Sequence, residues 1–249
     1  MSIQRQILAA TDGSVAASHA VSRAREVSVH TGSYLHVYQS EAHDAASDVL
    51  QQADAMSADL IVVGASGAGG ATRFMSTTVS AKVLRASRRP VLIVRSASTD
   101  PYRRALVLID FTPASTAALA AARWLAPGAR LVLVHALGLT RDPSGNKTGY
   151  RDPVLERHHE NLRINAQKRL DELARQCQLP ASDFECVATD HSVMEAIDTV
   201  IEDGSVDLIV TGKHGRGRLV ELILGSVTRE VLSRTLSDTL VVTDERTEI

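Results

Sequence analysis

Four residues of this chain have the types and spacing to hold a polyanion: Gly212, Gly215, Gly225 and Ser226, in the order Gly, two residues, Gly, nine residues, Gly-Ser. Glycine lacks a Cβ, so the backbone at Gly212 and Gly215 can take positive φ and come close to a ligand. Ser226 carries a hydroxyl donor. The apolar spacing of Val227, Val231 and Leu232 predicts a helix whose first N–H groups face an anion. The run before the loop, Val206-Asp207-Leu208-Ile209-Val210-Thr211, is short, β-branched and bounded by Gly204 and Gly212, as in a strand buried on both faces. The loop therefore stands at the C-terminal end of a strand, where open α/β sheets bind their ligands. A lone Gly-x-x-Gly equally describes a turn with no ligand. The Walker pattern GxxxxGK[ST] does not occur in the chain.

The elements that must position this loop occur twice. In the first half a strand over 6–11 ends at Asp12, then come a helix over 16–29, strands over 34–38 and 59–63, and Gly64. In the second half a strand over 104–109 ends at Asp110, then come an Ala-rich helix over 114–125, a strand over 131–135, and a strand over 207–210. Each half closes on a strand, 90–94 in one and 239–243 in the other. Alternation of this kind implies parallel sheets with helices on both faces. Asp100-Pro101 marks a polar connector, so the expected domains are 1–98 and 101–249. The second half also holds a polar loop over 138–153, a long amphipathic helix over 154–177 and a strand over 184–188. The first half passes from Tyr38 almost directly to a helix over 45–56, and so reads as truncated by one helix and one strand.

The complete loop, GKHG followed by LVELILGSVTREVL, and the two strand-Asp starts resemble the ATP-binding branch of the universal stress protein family. The resemblance covers essentially the whole chain and is strong in the second half. It implies an α/β fold of two tandem doubly wound, adenine nucleotide alpha hydrolase-like domains, with strand order 3-2-1-4-5 in the complete one. It further implies that ATP binds in the second domain with Mg²⁺ bridging the phosphates and no protein ligand assigned to the metal. Asp110 would then lie against the adenosine, the backbone of Ala136 would meet the adenine edge, Gly212 and Gly215 would border the ribose and α-phosphate, and Gly225 and Ser226 would hold the outer phosphates. Read without the family, Asp110 is equally an acid placed favourably at a helix N-terminus. In the first half Gly64 and Gly67 preserve the first glycine pair, but Thr77-Thr78 stands where Gly-Ser is expected. A degenerate second site would comprise Asp12, Val37, Gly64, Gly67 and Thr78, and a structural role as built-in partner is favoured for this half. Family members pair their last strands across a dimer, and a tandem chain can make that pairing internally, 90–94 against 239–243, as an intramolecular pseudo-dimer. A further homodimer of the whole chain stays open.

Composition narrows the alternatives. With 249 residues, 44% apolar and 22% charged, the chain is of ordinary globular make-up, and a formal charge of -2 with scattered basic residues gives nucleic acid no footprint. No apolar run reaches a membrane span and Met1-Ser2-Ile3-Gln4-Arg5 opens no signal segment, so a cytoplasmic protein is expected. Cys177 and Cys186 lack metal-ligand spacing and read as thiols rather than a disulfide. His158, His159 and His191 read as solvated positions, and His214 as a polar neighbour of phosphate. Arg216 and Arg218 either neutralise phosphate or face water. No arginine finger or water-positioning base is evident, so a nucleotide-dependent stress-response regulator or sensor with slow hydrolysis at most, acting on an unidentified protein partner, is the leading expectation. The alternatives are a nucleotide-free chaperone or scaffold and an ATP-using transferase or phosphatase.

Overall fold

The computed structural model describes residues 4–65, 78–95, 97–98, 100–139, 153–203, 205–213 and 225–243. Of the residues singled out above, Gly67, Thr77, Gly204, His214, Gly215, Arg216 and Arg218, with most of the polar loop over 138–153, fall outside these ranges. The short apolar runs form strands: β1 (Gln6–Thr11), β2 (Tyr34–Gln39), β3 (Leu60–Gly64) and β4 (Val91–Val94) in the first half, then β5 (Arg104–Leu108), β6 (Arg130–Ala136), β7 (Phe184–Thr189), β8 (Leu208–Lys213) and β9 (Asp238–Thr243) in the second. The helices are α1 (Val15–Thr31), α2 (Ala45–Ala55), α3 (Val79–Ala86), α4 (Pro113–Leu125), α5 (Pro153–Gln176), α6 (Val193–Glu202) and α7 (Ser226–Arg234).

All nine strands share one sheet in the order β2-β1-β3-β4-β9-β8-β5-β6-β7. The second half runs β7-β6-β5-β8-β9, which is 3-2-1-4-5 in its own count, and the first half shows the same order without a third strand. Pairs within each half are parallel, and the halves meet where β4 runs antiparallel to β9, with Val91 opposite Val241 and Ile93 opposite Thr239. This is the internal pairing of closing strands expected above. It covers two edges that would otherwise present unpaired backbone groups.

Small residues let the helices lie close to the sheet. Ala20 and Ala24 of α1 and Ala118 and Ala122 of α4 are buried in one core, which runs across both halves on a single face and includes Leu240 and Val242 of β9. The opposite face holds two smaller cores, one under α2 and α3 and one under α6 and α7. Helix starts are set by side-chain caps: Ser14, Thr78, Thr112 and Ser192 accept N–H groups from the first turns of α1, α3, α4 and α6.

A buried polar cluster locks the halves together. Asp238, at the start of β9, is fully buried; its carboxylate accepts from the Tyr102 hydroxyl at 2.8 Å and from the Arg95 backbone N–H at 2.7 Å, and lies 3.3 Å from the Arg23 guanidinium of α1. Arg23 is 2% exposed, stacks 4.3 Å from the Tyr102 ring centroid, and donates to the Asp100 carbonyl. Burial, reinforced by the neighbouring carboxylate, pushes the Tyr102 phenol well above its ordinary range. Arg95, just beyond β4, donates to the Leu232 carbonyl of α7. Charges withdrawn from water are tolerable only when paired and hydrogen-bonded in this way.

Candidate functional site

The order of the second half reverses at β5, which has β6 on one side and β8 on the other. The C-terminal ends of β5 and β8 diverge there, opening a crevice. Asp110 follows β5, Ala136 ends β6, Gly212 lies near the end of β8, and Gly225 and Ser226 open α7. All five line one cavity of about 250 Å³. Residues far apart in sequence thus converge on a single site because the fold brings their strand ends together. The sixth signature residue, Gly215, lies outside the described residues.

Asp110 is exposed at this site, and its Oδ1 accepts from the Thr112 N–H at 3.0 Å and the Thr112 hydroxyl at 2.6 Å. The carboxylate therefore shapes the turn into α4, the role read for it without the family, while standing at the cavity. The next residue, Phe111, has φ +61°, a left-handed conformation costing a non-glycine residue about 1–2 kcal/mol. Its ring lies 4.5 Å from that of His135 and 3.9 Å from the Arg169 guanidinium of α5. His135 is in turn fixed by an Nδ1 contact of 2.7 Å to the Ile109 carbonyl. Cation–π contact alone is worth about 0.5–1 kcal/mol at exposed positions, comparable with the backbone cost. The corresponding turn of the first half uses Gly13, φ +77°, and has no counterpart of α5.

Gly212 is small for a different reason from the one expected. Its φ is not left-handed, and a Cβ there would come 2.8 Å from the backbone carbon of Ala114 and 3.0 Å from the Ala114 Cβ. The close approach is to the first turn of α4. Gly64 is crowded in the same way by Ala16 and Ala17 of α1. Gly225 contrasts with both, since among the described residues a Cβ at this position meets nothing within 4 Å. Gly225 is also the N-cap of α7 and offers no side-chain acceptor, so the leading N–H groups of that helix have no such cap from it.

In the first half Asp12 keeps the turn geometry, its Oδ1 accepting from the Ser14 N–H at 2.9 Å. Hydrogen bonds from Ser14 hold this carboxyl below the ordinary aspartate range. Val37 does not reach the corresponding crevice. It pairs with Ala9, three residues before Asp12, and is 50% exposed on the edge strand β2. Both returning strands begin at the same height, Tyr34 opposite Gln6 and Arg130 opposite Arg104, so counting along the registers the position that corresponds to Ala136 is Ser40, three residues beyond Val37. Thr78 caps α3 by accepting from the Ala81 N–H at 3.2 Å, which occupies a helix N–H that an anion would need.

The cavity has walls that sequence reasoning missed: Ser115, Val193, Thr211, Lys213 and Thr228. Val193 opens α6, whose signal was present in Ser192-Val193-Met194-Glu195; Ser192 and Glu195 form a reciprocal capping box. Among the described residues, the candidates His158, His159 and His191 do not line the cavity. His191 lies 3.9 Å from Glu195, and among the described residues no group of three or more His, Cys, Asp or Glu is placed to hold a metal ion. Cys177 and Cys186 are free, and burial, with Asp171 nearby, pushes the Cys186 thiol up to about 12. No helix among the described residues is long and apolar enough to cross a membrane.

Fold and cavity together define a tandem, doubly wound α/β protein with a ligand-sized crevice at the strand-order reversal of its complete half. The profile of the universal stress protein family matches residues 37–95 and 101–243. The chain belongs to that family. It is 30% identical over 181 residues to a universal stress protein of Mycobacterium tuberculosis, covering 70% of this chain and 58% of the relative. It is 33% identical over 111 residues to one of Methanocaldococcus jannaschii, covering 45% of this chain and 64% of the relative. The chain thus spans about three fifths of the length of these curated relatives. In fold it is similar to a universal stress protein from Archaeoglobus fulgidus, with a TM-score of 0.65 at 17% identity over 96% of this chain and 98% of the other.

Proposed function

We propose that the chain is a nucleotide-dependent regulator or sensor that binds ATP in the second-half cavity, with Mg²⁺ carried on the phosphates and slow hydrolysis at most. One observation carries the reading: Asp110, Ala136, Gly212, Gly225 and Ser226, from four strand or helix ends, line the same cavity. Its volume, about 250 Å³, is close to the lower end of small-molecule sites, about 300–1,000 Å³. The residues present fit the group. Asp110 would accept from adenine or ribose, the Ala136 backbone would meet the base, and the start of α7 with the Ser226 hydroxyl would take phosphate oxygens. No described atom crowds the vacant Cβ position of Gly225, which favours approach of a phosphate to the backbone there. His135 has its Nδ1 committed to a strand carbonyl, which suits binding better than proton transfer during rapid turnover.

In this reading the first domain, 1–98, is a built-in partner of the second, 101–249, with its own loop degenerate, and the whole works in the cytoplasm through an unidentified protein partner. Calorimetric titration of nucleotide-stripped protein with Mg-ATP tests it. The wild type is expected to bind one equivalent, and Gly225→Val to bind at least about tenfold more weakly, a loss of about 1.4 kcal/mol. Two equivalents would restore the first half as a site. No binding by the wild type would leave a nucleotide-free scaffold as the better account.

A further inference from the structure

Lys213 sits beside Gly212 in the wall of the cavity and by type resembles a phosphate ligand. Its ammonium is directed elsewhere, across the junction between halves. Nζ donates to the carbonyls of Leu84 at 2.8 Å, Arg85 at 3.1 Å and Ser87 at 2.8 Å, at the C-terminal end of α3. An ammonium has three N–H donors, and three carbonyls receive them. The last carbonyls of a helix lack intrahelical partners and carry partial negative charge, so a cation placed among them is doubly favourable. The turn that presents them is itself fixed: Ser87 is 2% exposed, its hydroxyl donates to the Arg89 carbonyl at 2.8 Å, and its Oγ accepts from the Arg89 N–H at 2.9 Å. On its other side the same stretch of β8 is wedged by Gly212 against Ala114 of α4. The backbone at the end of β8 is therefore held between a helix of its own half and a helix of the other.

We propose that Lys213 is a positioning residue that makes the first half a working part of the second half's ATP cavity. Anchored on α3, it fixes the strand end that forms one wall, and it is withheld from the phosphates. The inference rests on the nucleotide reading given above. It accounts for retention of a first half with a degenerate loop, since that half supplies the acceptors.

The test measures Mg-ATP affinity by calorimetry for the wild type, Lys213→Met, Ser87→Ala and the double variant, with folding checked by circular dichroism. Ser87 lies outside the cavity, so weakened binding on its substitution reports transmission through the turn. Lys213→Met is expected to weaken binding about fivefold or more, Ser87→Ala to weaken it measurably, and the double variant to bind no worse than Lys213→Met. Lys213→Arg, which keeps a cation, is expected to recover part of the loss. Wild-type affinity in Lys213→Met, or additive losses in the double variant, would overturn the tether and leave the cavity reading intact. Absence of binding in the wild type overturns the cavity reading, and the tether falls with it. If Lys213→Met does not fold, Ser87→Ala alone decides: unchanged affinity overturns the proposal.

Discussion

At the scale of single residues, the glycines of one motif separate into two kinds. Gly212 is required by the approach of α4, whereas no described atom crowds the place where a Cβ of Gly225 would go. Gly212→Ala is therefore expected to destabilise the fold by about 1–3 kcal/mol, since backbone of β8 or α4 must shift. Gly225→Ala is expected to change stability by less than about 0.5 kcal/mol. Urea denaturation of the two variants checks both, and equal effects would refute the distinction. The sequence shows where a Cβ is absent, but not what presses on the vacant position. That depends on a helix about a hundred residues away in the chain, which is why Gly212 was legible as a site residue and its reason was not.

Elements were legible wherever local chemistry defines them. Buried strands such as β3 and β8 are short β-branched runs that reach a glycine at or near their ends, Gly64 and Gly212, and α1 and α4 follow a strand-Asp turn with a Ser or Thr cap. Helix α6 was overlooked although its capping box is local. Likeness between the halves misplaces the β2 position because the path from β1 to β2 is two residues longer than that from β5 to β6, so Val37 falls short of the level that Ala136 holds. Caps also explain why the two loops differ. Helix α3 satisfies an N–H with Thr78, while α7 receives no side-chain cap from Gly225. Thr78→Ala should cost about 1 kcal/mol in thermal or urea unfolding and leave the nucleotide stoichiometry at one. Loss of nucleotide binding in that variant would show that the first-half loop takes part.

Across the whole molecule, the repeat, the missing strand and the pairing of closing strands could all be read from the order of elements. The lock at the junction could not, because Arg23, Asp100, Tyr102 and Asp238 meet only after both halves have folded. Asp238→Asn removes one of the two carboxylates that pair with the buried Arg23 guanidinium, Glu26 at 3.3 Å remaining, and is expected to lower unfolding free energy by about 2 kcal/mol. Chemical denaturation followed by the single tryptophan, Trp124 in α4, would measure it, and a loss below about 1 kcal/mol would mean the cluster relaxes around the change. The antiparallel meeting of β4 and β9 has a further consequence. In a pair of separate subunits, that seam would open on dilution, and any sequence change would be imposed on both sides of it at once. Joined in one chain, the seam closes at a rate and with a strength independent of protein concentration, and each side is free to drift alone. The first half can therefore do without a strand, a helix and a Gly-Ser pair that the second half has, while the other side keeps its crevice.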